Sequence, residues 1–491
     1  MTQTLNADPA AEEIADTFDE DEAVLLDDEG TVSLERVDPK TLIVGANVRL
    51  DPRLSDSFVN NVRHRGVKVP IVAYRDDQRQ LVVLYGQRRT LAAIAAGRPI
   101  VTVVVVQKPD EADRLIDQLN ENHHRTNLTT HEDVVAFQQL AALGVPAGAI
   151  ARRAARPKAT VEAALSVAGS EVARKSTERW DFLDLEQAAA LAEFEADPEG
   201  LKHLVAAAQR GSGFDHTLQR LRDNRDSKRQ HDALVGRLTE AGIKVIERPP
   251  TQDAKRAALE YLKIGRRKAT EENHKECKGH VAFVTHKWVD EGGKRGYEWV
   301  ADYACTNYPK YGHTHLYPPG TAVSYSDRRK LEDMDPEEAE AARAERRDVR
   351  ESNKAWDSAL KVRQAWLKQF ATRRTPPKTA AWFVARAIAS CDHQIRTAME
   401  GSHKFARDLL GVERETYSSD HRRGQLLADL CTTEGRAAMV TLVMILAAYE
   451  ESLPRDAWRR SDPGPTEYLR YLESEGYELS EVEQRACAKK S

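Results

Sequence analysis

The stretch Leu81-Val-Val-Leu-Tyr85-Gly86-Gln-Arg-Arg89-Thr-Leu-Ala-Ala-Ile-Ala-Ala96 reads as a strand, a turn and a helix in immediate succession. Leu81 to Tyr85 is a short β-branched and aromatic run, the composition of a strand. Arg89 to Ala96 has helical spacing, and Gly97 stands where a C-cap belongs. A glycine at a strand-to-helix turn lets the backbone approach a ligand closely, and the start of a helix attracts anions. Arg88 and Arg89 add fork-shaped donors suited to phosphate oxygens. Gly86, Gln87, Arg88 and Arg89 are therefore a candidate triphosphate cradle; a glycine turn followed by solvated arginines is the alternative.

Outward from this stretch, Thr41 to Val44, Val69 to Tyr74 and Ile100 to Val106 are further strand-like runs, and Leu54 to Arg65 is a helix ending at Gly66. Residues 37 to 118 thus form a small α/β domain. Residues 1 to 38 contain thirteen Asp or Glu and one basic residue, Arg36, a local charge of -12 that leaves +7 on the rest of a chain whose net charge is -5. Such an acidic head predicts a disordered tail over residues 1 to 36; a docking tail for a basic partner is the sharper alternative.

At 491 residues, 31% charged and with a mean hydropathy of -0.60, the chain is long enough for two to four domains and too polar to sit in a membrane. The longest apolar stretch, Ala437 to Tyr449, is shorter than the roughly 20 residues that span a bilayer, and the acidic N-terminus is unlike a secretory signal. Five cysteines, Cys277, Cys305, Cys391, Cys431 and Cys487, are too few for a disulfide framework, so a cytoplasmic location is expected.

Beyond Pro109 the pattern is helical, with candidates at Asp110 to Asn120, Thr130 to Leu143, Ala147 to Ala155, Thr160 to Val167 and Asp184 to Glu195. Gly211-Ser-Gly213 and the charged run Arg220 to Arg229 place a boundary near residue 230, giving a helical domain over 119 to 230. Within it, Ala147 to Ala155, a turn at Arg156-Pro157, and a second helix from Lys158 have the spacing of a helix-turn-helix, with Ile150 and Val161 facing inward. Arg152, Arg153, Arg156 and Lys158 supply charge for phosphates, and Lys158, Thr160 and Glu162 are candidates for base edges. An alanine-rich hairpin that only packs is the alternative. Before it stands Glu121-Asn-His-His-Arg125, where a carboxylate beside an amide can hold Mg²⁺ and Arg125 can meet a phosphate; a capped polar helix terminus is the bland reading.

Taken in order, Asn47-Val-Arg49, Gly66-Val-Lys-Val-Pro-Ile71, Gly86-Gln-Arg-Arg89, Ala92-Ala93 with Gly97, Glu121-Asn-x-x-Arg125 with Leu128 and Glu132, and the helix-turn-helix closely resemble the ParB family of chromosome and plasmid partition proteins. The resemblance covers residues 37 to 225. It implies an α+β protein whose ParB/sulfiredoxin-like N-terminal domain binds CTP and Mg²⁺ and whose central domain binds a palindromic double-stranded DNA site. By the same analogy, CTP closes two N-domains into a sliding clamp, slow hydrolysis reopens it, and a ParA-type ATPase and a homodimer are the partners, at the nucleoid or a plasmid. Carried over by residue, Arg49, Gly86, Gln87, Arg88, Arg89, Asn122 and Arg125 bind nucleotide, Glu121 and Asn122 take Mg²⁺, and Glu121 serves hydrolysis. Gln87 stands in place of the family's usual Glu, Asn47-Val-Arg49 in place of Gln-Pro-Arg, and His123-His124 in place of an apolar-Gln pair; Gln87 hydrogen bonds but carries no negative charge, which puts hydrolysis in doubt. No cysteine precedes Cys277, which argues against the thiol chemistry that the same fold hosts.

The C-terminal half departs from the family's short dimerisation domain. Over 231 to 325, Cys277-Lys-Gly-His280 and Cys305-x7-His313 give two Cys and two His joined by a β-hairpin, a set suited to structural Zn²⁺, with His274, His286 and His315 able to substitute. Ordinary buried cysteine and surface histidines are the alternative. Residues 326 to 491 read as a helical domain with Trp356, Trp366, Trp382 and Met439 to Leu446 in its core, and with Lys361, Arg363, Lys368, Arg373, Arg374 and Lys378 as a basic stretch that packs, self-associates or adds DNA contact. A transcriptional or nucleoid-associated regulator, and a nuclease or phosphotransferase using Asp117 beside Glu121, are the competing functions.

Overall fold

A computed structural model describes residues 32–44, 54–125, 129–250, 255–291, 294–317, 334–390, 392–401, 403–412, 426–460 and 463–488, the side chains of 121–125, 288–291, 294–296 and 463 excepted. The chain mixes α and β structure and divides into two compact units, residues 1–201 and 202–491.

The first unit is built on a four-stranded sheet of β1 (Ser33–Val37), β2 (Ile71–Arg75), β3 (Leu81–Tyr85) and β4 (Val101–Val106), ordered β1-β4-β2-β3. The central β4–β2 pair is parallel and both outer pairs are antiparallel. In β4, Val101, Val103 and Val105 are buried and the residues between them are not, the period-2 signature of a sheet covered on one face. Two helices contribute to that cover: α1 (Asp56–Arg65), started by the Ser55 cap and stopped at Gly66, and α2 (Gln87–Ala95). Val62 of α1 and the wholly buried Ala92 and Ala93 of α2 join Ile71, Ala73 and Val103 in one core. Small alanines let α2 lie close to the sheet, which is what fixes the start of that helix over the end of β3.

Two expectations change here. The acidic head was expected to be disordered through residue 36, but Ser33–Val37 is β1; its alternating charges hide a strand that exists because β4 offers it a ladder and Arg75 grips Glu35 with two 2.8 Å hydrogen bonds. Residues 1–31 lie outside the described residues. The strand expected at Thr41 to Val44 is a 3-10 turn over Pro39–Thr41 followed by a single bridge from Ile43 to Val82, because Asp38 caps the turn.

Helices complete the first unit: α3 (Glu111–Arg125), α4 (Thr130–Ala142), α5 (Ala147–Arg153), α6 (Lys158–Gly169), α7 (Glu171–Arg179) and α8 (Leu185–Glu193). Capping boxes at Thr129/Glu132 and Asp184/Gln187 start α4 and α8. Helix α6 buries Val161, Ala164 and Val167 completely among its neighbours. The division between units falls within α9 (Pro198–Arg210).

In the second unit, α10 (Phe214–Glu240) is one continuous helix. Residue 230 lies inside it: the charged run is a stretch of helix, partly solvated and partly packed through Asp223 and Ser227, rather than a linker. A mixed region follows, with β5 (Val245–Ile246), β6 (Ala257–Ala258), β7 (Leu262–Ile264), β8 (Arg267–Lys268), α11 (Glu271–His274), β9 (His280–Glu291), β10 (Lys294–Cys305) and β11 (His313–His315). Strands β9 and β10 form a long hairpin that sets Cys305 opposite His280, in the sheet β5-β9-β10-β6; a small second sheet runs β11-β7-β8. The rest is helical: α12 (Pro336–Phe370), α13 (Ala380–Ala389), α14 (His393–Glu400), α15 (Lys404–Leu409), α16 (Glu434–Ser452), α17 (Pro463–Ser474) and α18 (Glu481–Ala488). Trp356, Met439 and Leu446 are in its core as expected, and Trp366 packs against it. Trp382 is not: it is 65% exposed under the Arg386 guanidinium, because α13 turns Ala380, Phe383 and Ala387 inward instead. Arg363 also leaves the basic stretch, being wholly buried between Glu450 and Glu483. No described helix is long and apolar enough to cross a membrane.

Candidate functional site

Gly86 has φ 103° and ψ 23°, in the left-handed region, and forms the sharp corner between β3 and α2. A Cβ there would stand 3.2 Å from the Arg89 guanidinium carbon, so the position accepts no side chain without displacing Arg89. Gly86 has no side chain with which to cap α2. Arg88 is exposed, its guanidinium 5.3 Å from the centre of the Phe58 ring. Arg89 is committed elsewhere: its Nη1 donates to the carbonyls of Val69 at 2.7 Å and Pro70 at 2.5 Å, fastening the chain that leads into β2. Gln87 is half-buried at the first turn.

The same corner is tied to α3. The Tyr85 hydroxyl donates to Asp117 Oδ2 at 3.2 Å, and Glu121 follows one helical turn later, with Asn122 and Arg125 beyond it on α3. The side chains of Glu121, Asn122 and Arg125, and all of Arg49, lie outside the described residues.

The second set of predicted residues is on α5 and α6. Ile150 of α5 and Val161 of α6 are fully buried, and the intervening turn holds Ala155 at φ 50°. Lys158 and Thr160 open α6; Lys158 is exposed and pairs with Glu162 at 3.0 Å, a contact that a stronger anion can replace. Arg152 is exposed. Arg153 is ion-paired to Asp113 of α3, and Arg156 lies 3.9 Å from Asp133 of α4, so both hold helices together. Asn120 adds a hydrogen bond to the Arg153 carbonyl at 3.3 Å.

The third set is in the mixed region of the second unit. His274, Cys277, Cys305 and His313 each offer a ligand atom, all within 4.8 Å of one another. His280 stands beside this group, its Nδ1 2.8 Å from Nδ1 of His274, so His274 occupies the place that sequence spacing gave to His280. Burial pushes His274 down to about 4 and the Cys305 thiol up to about 12, and it lowers His280 and His313. Sequence named His274 only as a substitute, because its i+3 spacing to Cys277 runs through the end of a short helix.

No family model matches the chain. Among curated proteins it is 32% identical over 111 residues to a probable chromosome-partitioning protein ParB of Treponema pallidum (strain Nichols), covering 22% of this chain and 34% of that one. It is 31% identical over 91 residues to a probable chromosome-partitioning protein ParB of Pseudomonas putida, covering 18% and 31%. The matched stretch is about a third of the length of these relatives. Among solved structures, the C-terminally truncated ParB from Caulobacter crescentus complexed to the centromeric parS site aligns at 18% identity over 38% of this chain and 96% of that one, with a TM-score of 0.28. The same protein complexed with CTP-gamma-S aligns at 19% identity over 36% and 98%, with a TM-score of 0.17.

Proposed function

We propose that this ParB-like chain is a sequence-specific DNA-binding protein of a chromosome or plasmid partition system, acting as a CTP-dependent clamp on double-stranded DNA. The observation that carries the reading is the 32% identity to a chromosome-partitioning ParB over 111 residues. Two local arrangements in the first unit support it: the left-handed corner at Gly86 that starts α2 with Arg88 exposed beside it, and the α5–α6 pair with Arg152 and Lys158 exposed.

The chain's residues fit a nucleoside triphosphate in part. The exposed Arg88 guanidinium at the left-handed corner of Gly86 would meet phosphate oxygens, while Arg89 fixes the neighbouring chain by holding Val69 and Pro70. Glu121 and Asn122 would hold Mg²⁺, with Arg125 and Arg49 as further phosphate donors. CTP bound here supplies the free energy that distinguishes closed from open states. On α6, Lys158 and Thr160 would face the DNA major groove, with Arg152 on the phosphates. A homodimer, a ParA-type ATPase partner and association with nucleoid or plasmid in the cytoplasm belong to the same proposal, as does the assignment of residues 37–118 to nucleotide and 119–201 to DNA. Gln87 favours a second reading, a DNA-binding regulator without turnover, since an amide lacks the charge of a carboxylate.

The test is nucleotide binding and hydrolysis by purified protein, comparing CTP with ATP, GTP and UTP, with and without DNA from its own gene neighbourhood. CTP-selective binding, lost in Arg88→Ala, with turnover raised by cognate DNA, is the expected result. Specific DNA binding with no nucleotide binding would end the clamp reading in favour of the regulator.

A further inference from the structure

The mixed region between α10 and α12 has little to hold it. Strands β6, β7, β8 and β11 are two or three residues long, and its local core is two small clusters, one around Leu259, Leu262, Cys305 and Tyr308 and one around Ala258, Val281, Phe283 and Ala304. Cores of this size ordinarily need a covalent or metal cross-link. Against this core stand four side chains of ligating type from separate pieces of chain: His274 on α11, Cys277 in the turn before β9, Cys305 at the end of β10, and His313 on β11.

Their geometry is near that of a tetrahedral site. Zinc bonds of about 2.0 to 2.3 Å set tetrahedral ligand atoms roughly 3.3 to 3.8 Å apart. The widest separation permitted here is 4.8 Å, so a closure of about 1 Å completes the tetrahedron. His313 Nε2 is 3.4 Å from Cys277 Sγ, inside that range.

Two further features point to an ion rather than to chance proximity. One is the turn at Gly279, whose backbone N–H donates to Cys277 Sγ at 3.4 Å. Gly279 is required for this turn, since a Cβ there would lie 2.8 Å from Cys305 Sγ and 2.6 Å from the Tyr311 ring. The second feature is His274, which is 1% exposed and whose Nε2 is buried with no hydrogen-bond partner. Its Nδ1 meets His280, and an Nδ1–H donated there leaves the Nε2 lone pair for a metal, the arrangement that ligating imidazoles commonly use. Two thiolates and two neutral imidazoles around a divalent ion sum to zero charge, which suits a buried position.

We propose that His274, Cys277, Cys305 and His313 hold a structural zinc ion, with His280 as the outer-shell partner that orients His274. The ion would staple α11, the β9–β10 hairpin and β11 into one body. The site goes beyond the nucleotide and DNA reading of the first unit and does not depend on it.

The full chain, purified without chelator, should carry one zinc per molecule by elemental analysis. Exchange into Co²⁺ should give the visible bands of tetrahedral cobalt and a near-ultraviolet thiolate charge-transfer band of two-sulfur intensity. Cys277→Ser and Cys305→Ser should lose the metal, His315→Ala should keep it, and His280→Ala should keep one equivalent with affinity lower by about 10- to 100-fold. Because the cysteine variants can fail to fold, the wild-type stoichiometry and cobalt spectrum decide by themselves. Metal-free protein with free thiols or a Cys277–Cys305 disulfide, or an octahedral cobalt spectrum, overturns the site. Loss of metal in His280→Ala with full retention in His274→Ala overturns the assignment of His274.

Discussion

Arg88 and Arg89 are neighbours in sequence with opposite expected phenotypes. Arg88 is exposed at the start of α2, so Arg88→Ala should abolish nucleotide binding while leaving the thermal unfolding of the first unit unchanged. Arg89 donates to two carbonyls, and a hydrogen bond from a charged group contributes about 1.5 to 3 kcal/mol. Arg89→Ala should therefore lower the stability of the first unit by a few kcal/mol, read by circular dichroism on heating. A similar contrast exists in the second unit. Arg363 is wholly buried with Glu450 and Glu483, and removing it strands two carboxylates. Arg363→Leu should cost about 3 to 5 kcal/mol in urea unfolding. Lys361→Ala removes a pair with Asp223 in which Lys361 is 58% exposed, and should cost less than about 1 kcal/mol.

At the level of elements, the start of α6 is where DNA contact is predicted. Arg152→Ala and Lys158→Ala should each weaken binding and reduce the slope of log affinity against log salt by about 0.9, measured by fluorescence anisotropy. Arg153→Ala should act mainly on stability, because Arg153 joins α5 to α3 through Asp113. Sequence made the β3–Gly86–α2 corner legible because each part carries its own signal: a β-branched run, a glycine, and alanines at helical spacing. It made α6 legible for the same reason. It could not reveal β1, whose residues present no buried apolar face and which depends on a partner about seventy residues away, nor that Arg363 is buried and Trp382 exposed, since rotation of a helix about its axis is set by what it packs against. The Cys/His set was legible as a composition but not as a geometry: His274 and His280 both flank Cys277, and only the turn at Gly279 decides which one faces Cys305.

For the whole molecule, two compact units predict two unfolding transitions in calorimetry. Trp180 is the one tryptophan before residue 202 and six follow it, so fluorescence reports chiefly on the second unit. A strong chelator should lower the fluorescence transition and leave the other where it was. Within the second unit, α10 serves two neighbours at once. Its Ser227 accepts from the Trp299 indole at 2.9 Å on β10, and its Asp223 accepts from Ser358 at 2.7 Å on α12. This sharing constrains how the chain can be reshuffled. A recombination joint near residue 230 would bisect α10 and leave Asp223 and Ser227 on one parent while their partners on α12 and the hairpin come from the other. A joint near residue 201 leaves each hydrophobic core with a single parent, so chimeras made there should be the ones that inherit a working copy of either half.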